Sequence, residues 1–136
     1  MQRLTSSQLN YLLCIQQLCA QNGKVRSADL SRAIGLSMPS VHNMLVTLCD
    51  LGVVRKEKSL LFLTEDGQEC LQYYQTAAAA AGQLLRSIGI CNDVDARLMT
   101  TILSPETVDD MVAAYRKGGS VYDSHLAGQS RRRISD

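Results

Sequence analysis

The sequence predicts a mainly α chain: an N-terminal winged helix-turn-helix of three helices plus a β-hairpin wing, followed by an α-helical region. Three observations predict it. Residues 26–54 read as two short amphipathic helices meeting at a tight turn, the pattern of a helix-turn-helix. Two short apolar runs follow at once, joined by charged residues, as in a β-hairpin. Behind them lies a long helical stretch with five consecutive alanines, then two shorter amphipathic ones. The expected division is 1–63 for the winged helix, 64–117 for the helical region and 118–136 for a flexible polar and basic tail.

Thr5 to Gln8 forms a capping box, and Leu9, Leu12, Leu13, Ile15, Leu18 and Cys19 give the first helix a broad apolar face, ended by Asn22-Gly23. The second helix takes Ser27 as N-cap, Leu30, Ala33 and Ile34 as its buried side, and Gly35 as its stop. The third opens at Ser37 with Pro39 in its first turn, where a missing N–H costs nothing. Val41, Met44, Leu45, Leu48 and Leu51 recur at spacings of three and four, and Gly52 closes it. Val53 to Lys56 and Leu60 to Leu63 are the expected strands, with Glu57, Lys58 and Ser59 at the tip. Thr64 caps a helix expected from Glu65 to about Ile88. Its run Ala77 to Ala81 has the best helix propensity and suits close helix approach. Asn92 or Asp93 caps the next helix, and Ser104-Pro105-Glu106 starts the last, which ends before Gly118-Gly119.

The outer side of the third helix carries Ser40, His42, Asn43 and Thr47, short polar side chains that offer donors and acceptors to base edges in a DNA major groove. A helix facing only a core does not need that face so polar. The wing presents Lys56 and Lys58 to a phosphate backbone; the competing reading is a hairpin that is merely solvated. No enzyme is expected. Ser37, Ser40 and His42 are neighbours on one helix, with no third group or oxyanion donors to make a nucleophile of a serine.

Composition narrows the partners. Phe62 is the only Phe and Trp is absent, which does not suit a protein that stacks unpaired bases on aromatic platforms. The formal charge of +1 hides an asymmetry. Residues 1–63 carry seven Lys or Arg against three acids, residues 64–117 four against eight, and residues 118–136 three against two. A basic front joined to an acidic back fits a DNA-binding module attached to something that does not touch DNA. Cys14, Cys19, Cys49, Cys70 and Cys91 are odd in number and lack CxxC spacing, so reduced thiols packed as small hydrophobes are expected, in a cytoplasmic protein. Neither a membrane span nor a secretion leader is expected. Arg131-Arg132-Arg133 in the tail reads as solvated or as a nonspecific phosphate contact.

The order of elements, with GKVRSADLSRAIGLSMPSVHNMLVTLCDLGVV, LTEDGQ, LLRSIGI and TTILSPETV, resembles the diphtheria-toxin-repressor family of metal-dependent bacterial regulators in its manganese-regulator-like short form. The likeness covers roughly residues 4–112. It implies a winged helix that binds double-stranded DNA as a homodimer, with the helices behind it dimerising and holding a metal. By that resemblance, Ser37, Pro39, Ser40, His42 and Asn43 are the DNA-reading positions. The departures are as informative. The family's His and carboxylate on the long helix correspond to Ala78 and Gly82, and its acid and His on the next helix to Thr100 and Thr101. A further ligand position, often Cys, falls on Arg97, and an N-terminal one on or near Asn10. None of the four central residues can bind Mn²⁺ or Fe²⁺ as imidazole or carboxylate does. The chain's two histidines, His42 and His125, lie elsewhere.

The expectation is therefore a homodimeric, sequence-specific transcriptional regulator acting on a palindromic operator, with no metal or other cofactor. Two alternatives stay open: a winged helix that serves as a protein-interaction module, and a regulator with another effector, a redox thiol or a small molecule.

Overall fold

The computed structural model describes residues 3–118; the tail expectation, with Arg131 to Arg133 and His125, lies outside them. The described residues form six helices and one two-stranded sheet: α1 (Ser6–Asn22), α2 (Ser27–Ile34), α3 (Met38–Asp50), β1 (Val54–Glu57), β2 (Leu60–Leu63), α4 (Glu65–Ser87), α5 (Asp93–Ile102) and α6 (Pro105–Gly118). The predicted fold class is the observed one, a helix-turn-helix followed by a hairpin and further helices.

Local chemistry sets most boundaries. The Thr5 hydroxyl accepts from the Gln8 N–H while Gln8 Oε1 accepts from the Thr5 N–H, closing the capping box of α1. Gly23 ends α1 and Gly35 ends α2, both in the left-handed region. The N-cap of α2 is Arg26, not Ser27, because the Asp29 carboxylate reaches back to the Arg26 N–H at 2.9 Å and fixes the helix start one residue earlier. Ala33 is exposed rather than buried, which leaves Leu30 as the anchor of this short helix.

Two compact units divide inside α4, between Gln72 and Tyr73, whereas the sequence suggested a boundary at the hairpin's end. Cys70 and Leu71, on the second turn of α4, are buried in the first unit. That unit packs α1 on α2, α2 on α3, α1 on β2 and α3 on β1. Leu12, Ile15, Leu30, Val41 and Leu48 are buried at its centre, and Tyr11 joins them although the apolar pattern of α1 did not single it out. Leu18 is only half-buried and Cys19 is exposed.

The hairpin is one residue tighter than the pattern suggested. Glu57 pairs with Leu60, Lys56 with Leu61, Arg55 with Phe62 and Val54 with Leu63, leaving a two-residue turn. Lys58 and Ser59 both take positive φ, 50° and 68°, as a type I′ turn demands. The Leu61 N–H donates to the Val25 carbonyl at 2.8 Å, tying β2 to the segment before α2. Thr64 then joins hairpin to helix. Its N–H donates to the Val53 carbonyl, its hydroxyl to the Gly52 carbonyl at 2.6 Å, and the Gly67 N–H donates back to Oγ1.

In the second unit the small residues of α4 pack as expected. Ala80 and Ala81 lie with Ala96 and Met111, while Ala77 lies with Val108 and Val112. The Tyr73 hydroxyl donates to the Asp109 carboxylate, and burial followed by that carboxylate pushes the phenol's pKa well up. Asn92 caps α5 and Ser104 caps α6 through bonds to the Asp95 and Thr107 N–H groups.

Candidate nucleic-acid interface

The side of α3 that packs inward is apolar and buried at Val41, Leu45 and Leu48. Its outward side carries Pro39, Ser40, His42, Asn43 and Thr47, all exposed. Ser37 caps the helix: its hydroxyl accepts from the Ser40 N–H and donates to Ser40 Oγ at 3.0 Å. The Thr47 hydroxyl donates to the Asn43 carbonyl at 3.3 Å, so its proton is engaged while its oxygen still faces out. Among the described residues nothing bonds the side chains of His42 or Asn43, which leaves the Asn43 amide with both a donor and an acceptor to offer.

Three apolar side chains, Leu36, Met38 and Val46, are also exposed around this helix. The helical pattern leaves Val46 out of the inner face, and Val46 is exposed on the outward one. A shallow groove of about 250 Å³ beside the start of α3 is lined by Asn10 and Tyr11 of α1, by Leu36, and by Ser40 and Met44.

The hairpin carries one more cation than the two lysines expected from the sequence. Lys56 and Lys58 are exposed as expected. Arg55 lies on the other face of β1, with its guanidinium 5.1 Å from the centre of the Phe62 ring and Nε 3.5 Å from Glu57. Strand alternation, which puts neighbours on opposite faces, is the signal that identifies it. Arg32 is likewise paired, with Asp29 at 2.6 Å.

The residues at the resembled metal positions do not fit a divalent transition metal. Gly82 has no side chain, and a Cβ there would lie 3.3 Å from Arg86 Nη1 and 3.8 Å from the Ala96 Cβ, so a guanidinium stands beside the glycine. Thr100, 3% exposed, donates its hydroxyl to the Arg97 carbonyl, and Thr101 donates to that of Leu98. Among the described residues no three His, Cys, Asp or Glu side chains come together as a metal would need. The cysteines depart from their expected packing. Cys70 is buried, but Cys19, Cys49 and Cys91 are exposed; burial raises the pKa of Cys14, which keeps that thiol protonated. No helix among the described residues is long and apolar enough to cross a membrane.

Comparison with known proteins agrees with this architecture. The family model of the IclR helix-turn-helix domain matches residues 15–58, from the middle of α1 to the hairpin tip. The transcriptional regulator MntR of Salmonella typhimurium is 27% identical over 115 residues, spanning 82% of this chain and 73% of that protein. A hypothetical protein of Sulfolobus solfataricus superposes with a TM-score of 0.68 at 20% identity, over 85% of this chain and 91% of its own, a likeness of fold alone. The IdeR structure of T. acidophilum superposes at 0.61 with 25% identity, over 85% of this chain and 55% of its own. Helix order, hairpin and sequence likeness together make this chain a winged helix-turn-helix transcriptional regulator that is similar to the diphtheria-toxin-repressor and manganese-regulator proteins.

Proposed function

We propose that the chain binds double-stranded DNA sequence-specifically as a homodimer on a palindromic operator, and that it does so without a metal ion. The observation that carries the reading is α3 itself. One side is fully buried, and the other holds Ser40, His42, Asn43 and Thr47 free of the core, beside a hairpin bearing Arg55, Lys56 and Lys58. Asn43 reads a base edge, Ser37, Pro39, Ser40, His42 and Thr47 line the same contact, and the hairpin cations neutralise phosphates.

Dimerisation is supported by α5. Val94, Leu98 and Ile102 recur every fourth residue and are exposed, Ile102 at 77%, with Ile88 and Ile90 exposed in the preceding stretch. A second copy placed on this stripe by a two-fold axis covers it and sets two recognition helices on two half-sites. Metal independence is supported by the side chains at the resembled ligand positions. Ala78 and Gly82 offer no donor atoms, Thr100 and Thr101 are bonded to backbone, and a cation, Arg86, stands beside Gly82.

Selection of duplexes from a randomised pool in the presence of EDTA tests the DNA reading. The expected outcome is an enriched motif with two inverted halves, and failure to enrich any motif rejects it. Sedimentation tests the dimer: the wild type runs as a dimer at tens of micromolar (an order-of-magnitude choice far above the Kd of a stable dimer), and Leu98→Lys as a monomer. A monomeric wild type, with and without DNA, defeats the dimer.

A further inference from the structure

We propose that Val46 reads the 5-methyl group of thymine, so that the operator carries thymine at a fixed position next to the base read by Asn43. The inference rests on the DNA-binding reading above. Pro39, Asn43 and Val46 stand at i, i+4 and i+7 and therefore share one outward stripe of α3. Val46 is 47% exposed, while the core is served by Val41, Leu45 and Leu48 on the opposite side. A β-branched residue is a middling helix former, so an exposed valine adds nothing to folding that alanine would not exceed.

The place it occupies also needs an explanation in terms of the ligand. In α3 there is no Lys or Arg, so this helix brings no cation to phosphates; the hairpin that follows carries Arg55, Lys56 and Lys58. A side chain that neither packs in the core nor carries charge, three residues from a free amide, has one apolar counterpart in a major groove, the thymine methyl. The hairpin cations fix the occupant as a polyanion, and the apolar reach of Val46 fixes the base edge it meets as one that bears a methyl group.

The test is a parallel selection with wild type, Val46→Ala and Asn43→Ala, using randomised duplex libraries amplified with dTTP or with dUTP. Uracil pairs as thymine does but lacks the methyl. Wild type is expected to enrich a motif with thymine at a fixed position, and to bind the dU version of that selected duplex about fourfold more weakly, the worth of one buried methyl. Val46→Ala is expected to bind the two versions equally, and Asn43→Ala to keep the discrimination while losing preference at a neighbouring pair. Val46 is exposed, so the variant folds, and an unchanged circular dichroism spectrum checks it. An enriched motif with no difference between thymine and uracil, or a discrimination that survives in Val46→Ala, overturns this proposal and leaves the DNA reading standing. No enriched motif from either library overturns both.

Discussion

Gly67 and Gly82 sit in the same helix and face opposite constraints. A Cβ at Gly67 would lie 2.0 Å from the Val53 carbonyl oxygen, the same oxygen that accepts the Thr64 N–H. Backbone cannot yield as a side chain can, so Gly67→Ala forces the first turn of α4 off the hairpin. A loss of about 1–3 kcal/mol or more is expected in denaturant unfolding. At Gly82 the nearest atom is the end of the flexible Arg86 side chain, and alanine there gains about 1 kcal/mol of helix propensity, so Gly82→Ala is expected to be neutral or stabilising. Finding the two variants equally stable would contradict this account of the α4 start. Asn43 makes the functional counterpart. Its amide is exposed on α3, and replacing it by Ala is expected to cost about 1–3 kcal/mol at one base position and to relax preference there. Ser40→Ala is milder, because the Ser40 hydroxyl is already engaged with Ser37. Unchanged affinity and preference in both variants, measured on the selected duplex, would mean that α3 is not the reader.

Among the elements, the helix starts were legible where a cap is local chemistry. Thr5 with Gln8, Ser37 before Pro39, Asn92 and Ser104 each bond an N–H three residues on or the reverse, and sequence spacing alone reveals that. The hairpin tip was not legible to the residue. Its two turn positions are Lys58 and Ser59, which lack the Asn-Gly signal that marks a type I′ turn. The exposure of Ala33, Cys19 and Val46 was not legible either, since it depends on which neighbour covers a face and not on period. Arg55 was missed because net charge says nothing of which face of a strand a residue takes. The role proposed for the hairpin rests on those three cations. Replacing Arg55, Lys56 and Lys58 by Ala is expected to weaken binding to all duplexes alike, and to flatten the dependence of log affinity on log salt by about 0.9 for each phosphate no longer neutralised. A solvated hairpin leaves the slope unchanged, and a weakening confined to one sequence means that the wing reads bases.

At the scale of the whole molecule, the question is what fixes the DNA-competent arrangement. A metal selects one conformation only through differential binding to it, which requires ligands that one arrangement brings together and another separates. Here the corresponding side chains are Ala78, Gly82, Thr100 and Thr101. The two threonine hydroxyls are bonded to carbonyls of their own helix, and the guanidinium of Arg86 stands where a dication would be repelled. The alanines of α4 pack directly against Ala96 and Met111, small side chains that let the backbones approach closely. DNA affinity is therefore expected to be the same in EDTA and in Mn²⁺ or Fe²⁺ at a concentration on the order of 0.1 mM, well above the Kd of a regulatory site. Fluorescence anisotropy on the selected duplex makes the comparison at fixed ionic strength, so that screening by the added salt is not mistaken for coupling. A gain of tenfold on adding metal, about 1.4 kcal/mol, would falsify metal independence. A gain of that size would require protein ligands outside the four central positions.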